Sequence, residues 1–183
     1  MKCLAIGGEP ATGKTTLMKS IIKNMDGAKT FKYGLLAGMF NEKTSIAIMG
    51  IYDGQGTFEG TDRLSMAVNK DFLSYLEAKC KGENPRHIVF EGDRLFSATN
   101  LRYILDKYQT RICILKQSEE ALHKRHMARG DTQSEKFLKG RKTKIDNIQK
   151  EFSGNSEIFW LNEISDTKSL SGKLWRWLSE DTL

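Results

Sequence analysis

The chain has 183 residues, enough for one compact domain with its own core and too few for two full ones. Hydrophobic residues make up 39% and charged residues 28%, no apolar run approaches the ~20 residues of a membrane helix, and Cys3, Cys80 and Cys113 lack metal-pair spacing. This excludes a helical membrane span and a disulfide scaffold, and predicts reduced core thiols in a cytoplasmic protein without a membrane partner. The net charge of +6 permits a polyanionic partner, and much of the basic charge falls between Lys124 and Lys150.

In chain order, the apolar run Lys2 to Gly7 predicts a strand that meets a glycine loop, and the stripe at Leu17, Met18, Ile21, Ile22 and Met25 predicts a helix. Tyr33 to Phe40 and Ser45 to Tyr52 are two β-prone runs that suggest a hairpin, followed by a loop with Gly54, Gly56 and Gly60. A helix over 65–80 leads to the strand Ile88 to Phe90. A helix over 98–108, the strand Arg111 to Leu115 and a helix over 118–128 follow. Leu138, Ile145, Ile148 and Phe152 share one face of a further helix, Ile158 to Leu161 reads as the last strand, and Leu170, Leu174, Trp177 and Leu178 mark a closing helix. Strands alternating with helices call for an α/β fold with a mainly parallel sheet covered on both faces.

The run Gly8, Glu9, Pro10, Ala11, Thr12, Gly13, Lys14, Thr15 fits GxxxxGK[ST] between a predicted strand and a predicted helix, with Thr16 opening that helix. In such a loop the backbone N–H groups surround a phosphate, the helix start adds positive charge, the lysine reaches the outer phosphates of ATP, and the Thr15 hydroxyl can hold Mg²⁺. Glu91 and Asp93 follow the strand at 88–90, so either can serve the metal, and Asp93 can also act in catalysis. Asp53 follows another β run and is the candidate general base. Phe58, Asp62, Arg63 and Arg94 are candidate substrate contacts, with capping of a helix an equal reading for Asp62 and core packing a competing one for Phe58. Arg125 and Arg129 are one helical turn apart and can project together over a transferring phosphoryl group. His123 and His126 read as surface residues.

Joined to Gly92-Asp93-Arg94-Leu95-Phe96-Ser97, the Gly8 to Thr15 loop resembles the P-loop nucleoside and nucleotide kinases, although Leu95 stands where thymidylate-kinase-like members carry an aromatic. The resemblance covers most of the chain. It implies a single-domain P-loop kinase sandwich of three layers, with a five-stranded, mainly parallel sheet and a helical lid at about 125–145. It also puts Asn162 where such kinases contact the nucleobase. The Gly54 to Arg63 loop, its Phe-Glu-Gly-Thr-Asp-Arg-Leu-Ser run and Glu-Gly-Asp-Arg together resemble the phage 5-hydroxymethyluracil DNA kinases. That resemblance implies transfer of the ATP γ-phosphate to a hydroxymethyl group of a modified pyrimidine in DNA, in the host cytoplasm. Lys136, Lys139, Arg141, Lys142 and Lys144 would then meet backbone phosphates, or else form a solvated helix face. A kinase of free nucleosides or other small molecules, and a nucleotide-driven ATPase or switch, are the alternative readings.

Overall fold

The computed structural model describes residues 1–55, 58–79, 84–128, 133–161 and 163–180. Among these, seven strands form one sheet: β1 (Lys2–Gly8), β2 (Lys29–Tyr33), β3 (Leu36–Asn41), β4 (Ile46–Met49), β5 (His87–Glu91), β6 (Gln109–Lys116) and β7 (Ser156–Trp160). Their spatial order is β2-β3-β4-β5-β1-β6-β7. The five strands from β4 to β7 in that order run parallel, and β2 and β3 extend the sheet as antiparallel strands. The helices are α1 (Lys14–Ile22), α2 (Asn69–Lys79), α3 (Ala98–Lys107), α4 (Glu119–Ala128), α5 (Glu135–Glu151) and α6 (Ile164–Ser179).

The two-residue period of β1 explains the layering. Leu4 and Ile6 point to one face, where they meet Leu17, Met18 and Ile21 of α1 and Leu170, Leu174 and Leu178 of α6. Cys3 and Ala5 point to the other, with Phe72 and Leu76 of α2, Leu101 and Ile104 of α3, and Ile145 and Ile148 of α5. A central strand buried on both faces needs side chains that are apolar without interruption, and Cys3 to Ile6 supplies them. The free thiols of Cys3 and Cys113 are buried; Cys80 lies outside the described residues. No helix among the described residues is long and apolar enough to cross a membrane.

Seven strands exceed the five of the sequence-based expectation, and local chemistry accounts for the difference. Tyr33 to Phe40 reads as one β run, but Gly34 and Leu35 turn the chain between β2 and β3. In β2, Lys29 and Lys32 are exposed while Phe31 and Tyr33 lean toward α2. There Phe31 stacks on Tyr75 at 5.2 Å and Tyr33 meets the same ring edge-on at 5.4 Å. Lysines on an outermost strand are a common guard against pairing with a foreign strand. Helix α2 likewise starts later than expected, at Asn69, after a turn over 65–68.

Phe90 on β5 is fully buried and meets Phe72 edge-to-face at 5.2 Å, which joins the sheet to α2. Phe90→Ala is expected to lower the unfolding free energy by about 3–5 kcal/mol. Urea titration monitored by circular dichroism would measure this, and a loss under about 1 kcal/mol would contradict the packing described.

Candidate functional site

Parallel pairing of β1 with β5 puts Ile6 opposite Glu91, and the Gly92 N–H donates to the Ile6 carbonyl at 3.3 Å. The chain therefore leaves both strands at the same edge: β1 into the loop 8–13, and β5 into Gly92 to Phe96. In an open α/β sheet this C-terminal edge is where ligands bind. Here the two exits enclose a cavity of about 420 Å³.

The 8–13 loop forms one wall. Gly13 caps α1 with φ of 98°, a left-handed backbone that a residue with a Cβ adopts only at a cost. Gly13 offers no side chain to cap α1 and the first turn carries no acid, so the partial positive charge at its start favours an anion. The Lys14 ammonium curls back over the loop, donating to the carbonyls of Gly8 at 2.9 Å and Glu9 at 2.8 Å. The Arg125 guanidinium, from α4, donates to the Ala11 carbonyl at 3.1 Å. Two cations thus embrace the loop from different elements.

Glu91 forms the opposite wall. It is only 2% exposed, yet it also lines the cavity. The Tyr52 hydroxyl donates to its Oε1 at 3.2 Å, and the Thr61 hydroxyl donates to its main-chain carbonyl at 2.5 Å. Gly60, with φ of 75°, passes so close that a Cβ there would fall within the carboxylate. The Ile51–Gly60 bridge holds that glycine in place, with reciprocal N–H···O bonds of 3.1 and 2.7 Å. Burial pushes the Glu91 carboxyl up to about 7; Lys14 and the Tyr52 bond pull it down, and Asp62 and Glu59 add to the rise. A carboxyl of that pKa, oriented by a hydrogen bond inside a cleft, can accept a proton near neutral pH.

Helix α5 closes the third side. Ser134 caps it by accepting the Phe137 N–H at 3.3 Å, and Phe137, Arg141 and Ile145, each one turn apart, line the cavity. The Arg141 guanidinium bonds to Oδ2 of Asp93, and the Lys144 ammonium reaches Oδ1 at 2.6 Å and the main-chain carbonyl at 3.1 Å. With a cation on each of its oxygens, the Asp93 carboxylate ties α5 to the exit of β5. Further out, Lys142 pairs with Glu119 of α4 at 2.9 Å.

Of the sequence-derived candidates, Gly8, Pro10, Ala11, Gly13, Lys14, Thr15, Phe58, Asp62, Glu91, Asp93 and Arg94 come together around the cavity. Others fall elsewhere among the described residues. Thr12 is buried and donates its hydroxyl to the Glu9 carbonyl at 2.9 Å, while Thr16 is exposed. Burial raises the Glu9 carboxyl, which faces Lys142, Lys116, Asp146 and Glu119 and is not part of the lining. Asp53 needs correction as a base: it lies four residues beyond β4, outside the cavity lining, paired with Arg63. The Gln55 N–H at 2.9 Å, aided by Arg63, lowers its pKa, which makes it a weak proton acceptor. Arg63 is correspondingly a partner of Asp53 and does not line the cavity. Asp62 caps no helix; it lies in a 3-10 turn and accepts the Asp93 N–H at 3.1 Å. Arg94 lines the cavity with its Nε 3.4 Å from the Leu64 carbonyl. Arg129 and Asn162 lie outside the described residues. Tyr52 and Phe137 escape a reading of the sequence because a tyrosine after a strand and a phenylalanine in a basic helix carry no motif; only the fold brings them here.

No cluster of three or more His, Cys, Asp or Glu able to hold a metal occurs among the described residues. Magnesium that arrives with phosphates needs only one or two protein oxygens, and the Thr15 hydroxyl beside the cavity carboxylates fits that requirement. Comparison with models of known protein families gives no match, and neither does comparison with curated proteins.

The raised Glu91 pKa has a stability consequence with a definite sign. Because the folded state holds this proton more tightly than the unfolded chain, Glu91 favours folding below its ordinary value of 4.5, and that advantage is lost as pH rises through 7. Full ionisation costs on the order of 3 kcal/mol. Thermal unfolding of wild type and Glu91→Gln between pH 4 and 9 is expected to show similar Tm values at pH 4, an advantage for the variant that widens between pH 4.5 and 7, and a constant advantage above that. Parallel curves would mean that Glu91 does not titrate there.

Proposed function

We propose that this protein is an ATP-dependent kinase of the P-loop nucleoside and nucleotide kinase type, with the hydroxymethyl group of 5-hydroxymethyluracil in DNA as its acceptor. One observation carries the phosphotransferase reading: the buried, proton-accepting Glu91 lines the same cavity as Lys14 and the glycine loop. The acceptor rests on the resemblance carried by Gly54 to Arg63 and Glu91 to Arg94.

In this reading the triphosphate lies on the 8–15 loop, with its charge on the start of α1. Lys14 exchanges its bonds to the Gly8 and Glu9 carbonyls for the outer phosphates. Arg125, held at Ala11, adds charge at the loop. Thr15 would hold magnesium, which neutralises charge on the β- and γ-phosphates when bound. Glu91 takes the proton of the acceptor hydroxyl as that oxygen bonds to the γ-phosphorus. The bond from the γ-phosphorus to the β,γ-bridging oxygen breaks, and ADP leaves with its electron pair. Tyr52 keeps the carboxylate aimed throughout.

A specific observation favours a second reading, a kinase of small molecules. Arg141 and Lys144 turn inward to Asp93, and Lys142 is engaged by Glu119, so these cations are not displayed for a DNA backbone.

Incubation with γ-labelled ATP and duplexes containing 5-hydroxymethyluracil or thymine, beside free nucleosides, separates the two. Label confined to the modified duplex is the expected result. Label only in free nucleosides would move the acceptor to a small molecule, and nucleotide hydrolysis without any labelled acceptor would remove the kinase reading. Lys14→Ala and Glu91→Gln are each expected to lower transfer by about a hundredfold or more, with ATP binding retained in the second. Asp53→Asn is expected to stay within about twofold of wild type, since a strongly paired exposed carboxylate contributes little as a base.

A further inference from the structure

The cavity displays two partly exposed phenyl rings. Phe58 is 52% exposed and Phe137 is 39% exposed, and both line the cavity, which is partly open to solvent. They come from different elements. Phe58 belongs to the loop closed by the Ile51–Gly60 bridge, and Phe137 to the capped first turn of α5. The Phe137 ring is also held from one side: the Arg141 guanidinium lies 4.6 Å from its centre and is itself fixed by Asp93. Phe96, by contrast, is 1% exposed and serves as packed wall.

We infer that Phe58 and Phe137 grip the acceptor as a single unstacked base, so that a residue within duplex DNA must leave the helix to be phosphorylated. The inference rests on the kinase reading above and adds how the acceptor enters. The cavity of about 420 Å³ is at the small end of ordinary ligand pockets and is also lined by the 8–15 loop, so beside the phosphates it leaves room for no more than one base. The group that receives the acceptor proton is Glu91, 2% exposed on the inner wall. A stacked base pair cannot bring its hydroxyl there without drawing its neighbours in as well. An extruded base can, and aromatic faces replace the stacking it gives up. The rings are also tolerant of what they hold, because every base has a flat face, so discrimination for the hydroxymethyl group is left to the polar wall of Glu91, Asp62 and Arg94.

The test is steady-state phosphorylation of the same target residue in four settings: paired with adenine, opposite an abasic site, in single-stranded DNA, and as the free nucleoside. Wild type is expected to use the abasic-opposed and single-stranded targets at least about tenfold better than the paired one, because extrusion is then cheaper. Phe58→Ala and Phe137→Ala are each expected to raise the acceptor KM about tenfold, leaving the KM for ATP unchanged, with Phe→Trp restoring use. Equal use of paired and abasic-opposed targets would overturn extrusion, and unchanged acceptor KM in both alanine variants would overturn the grip. Label in none of the four settings with wild type would instead sink the kinase reading itself. Both rings are exposed, so the alanine variants should fold, and circular dichroism would verify this.

Discussion

The parallel register of β1 against β5 is the constraint on which the site depends. With Ile6 opposite Glu91, the glycine loop and the acidic turn leave the sheet side by side, which brings Lys14 and Glu91 to one cavity. That register follows from burial. Cys3 to Ile6 and Ile88 to Phe90 are apolar on both faces, and slipping either strand by one residue would exchange the side chains offered to α1 and α6 for those offered to α2, α3 and α5. The core thus fixes the chemistry by fixing which residues emerge together.

On this frame, polar contacts are divided between rigidity and readiness. Asp93 is fully engaged, with Arg141 and Lys144 at its carboxylate, and so fastens α5. Glu91 stands two residues away, on the inner wall, with Tyr52 and a more distant Lys14 as its favourable neighbours. The same turn therefore carries one carboxylate bound in ion pairs and one carboxyl whose pKa burial raises to about 7.

Much of this was legible in the residues alone. The Gly8 to Thr15 run, the flanking strand and helix, and the alternation that follows identify the fold class and the place of the site, because those signals are local. The antiparallel strand Lys29–Tyr33 was hidden because its apolar members are only Phe31 and Tyr33, which make sense once Tyr75 lies beneath them. Asp53 carried the signal expected of a base, a carboxylate after a β run, yet the chain continues through the Ile51 bridge and delivers it to Arg63. Glu91 was visible as an acid at a strand end; its near-neutral pKa comes from burial at the inner wall, which no local signal announces. Arg141 and Lys144 looked like an outward basic face, since the sequence cannot show that one helical turn brings both onto Asp93.

That pairing also bears on affinity. An anion that seeks Arg141 or Lys144 must displace a carboxylate already fastened to them, and the carboxylate stands ready to reclaim its partners. Attraction toward the cavity is therefore tempered at close range, because any anion that enters meets an internal competitor for these two cations. An anion at this end of the cavity is therefore held less tightly than two unengaged cations would hold it.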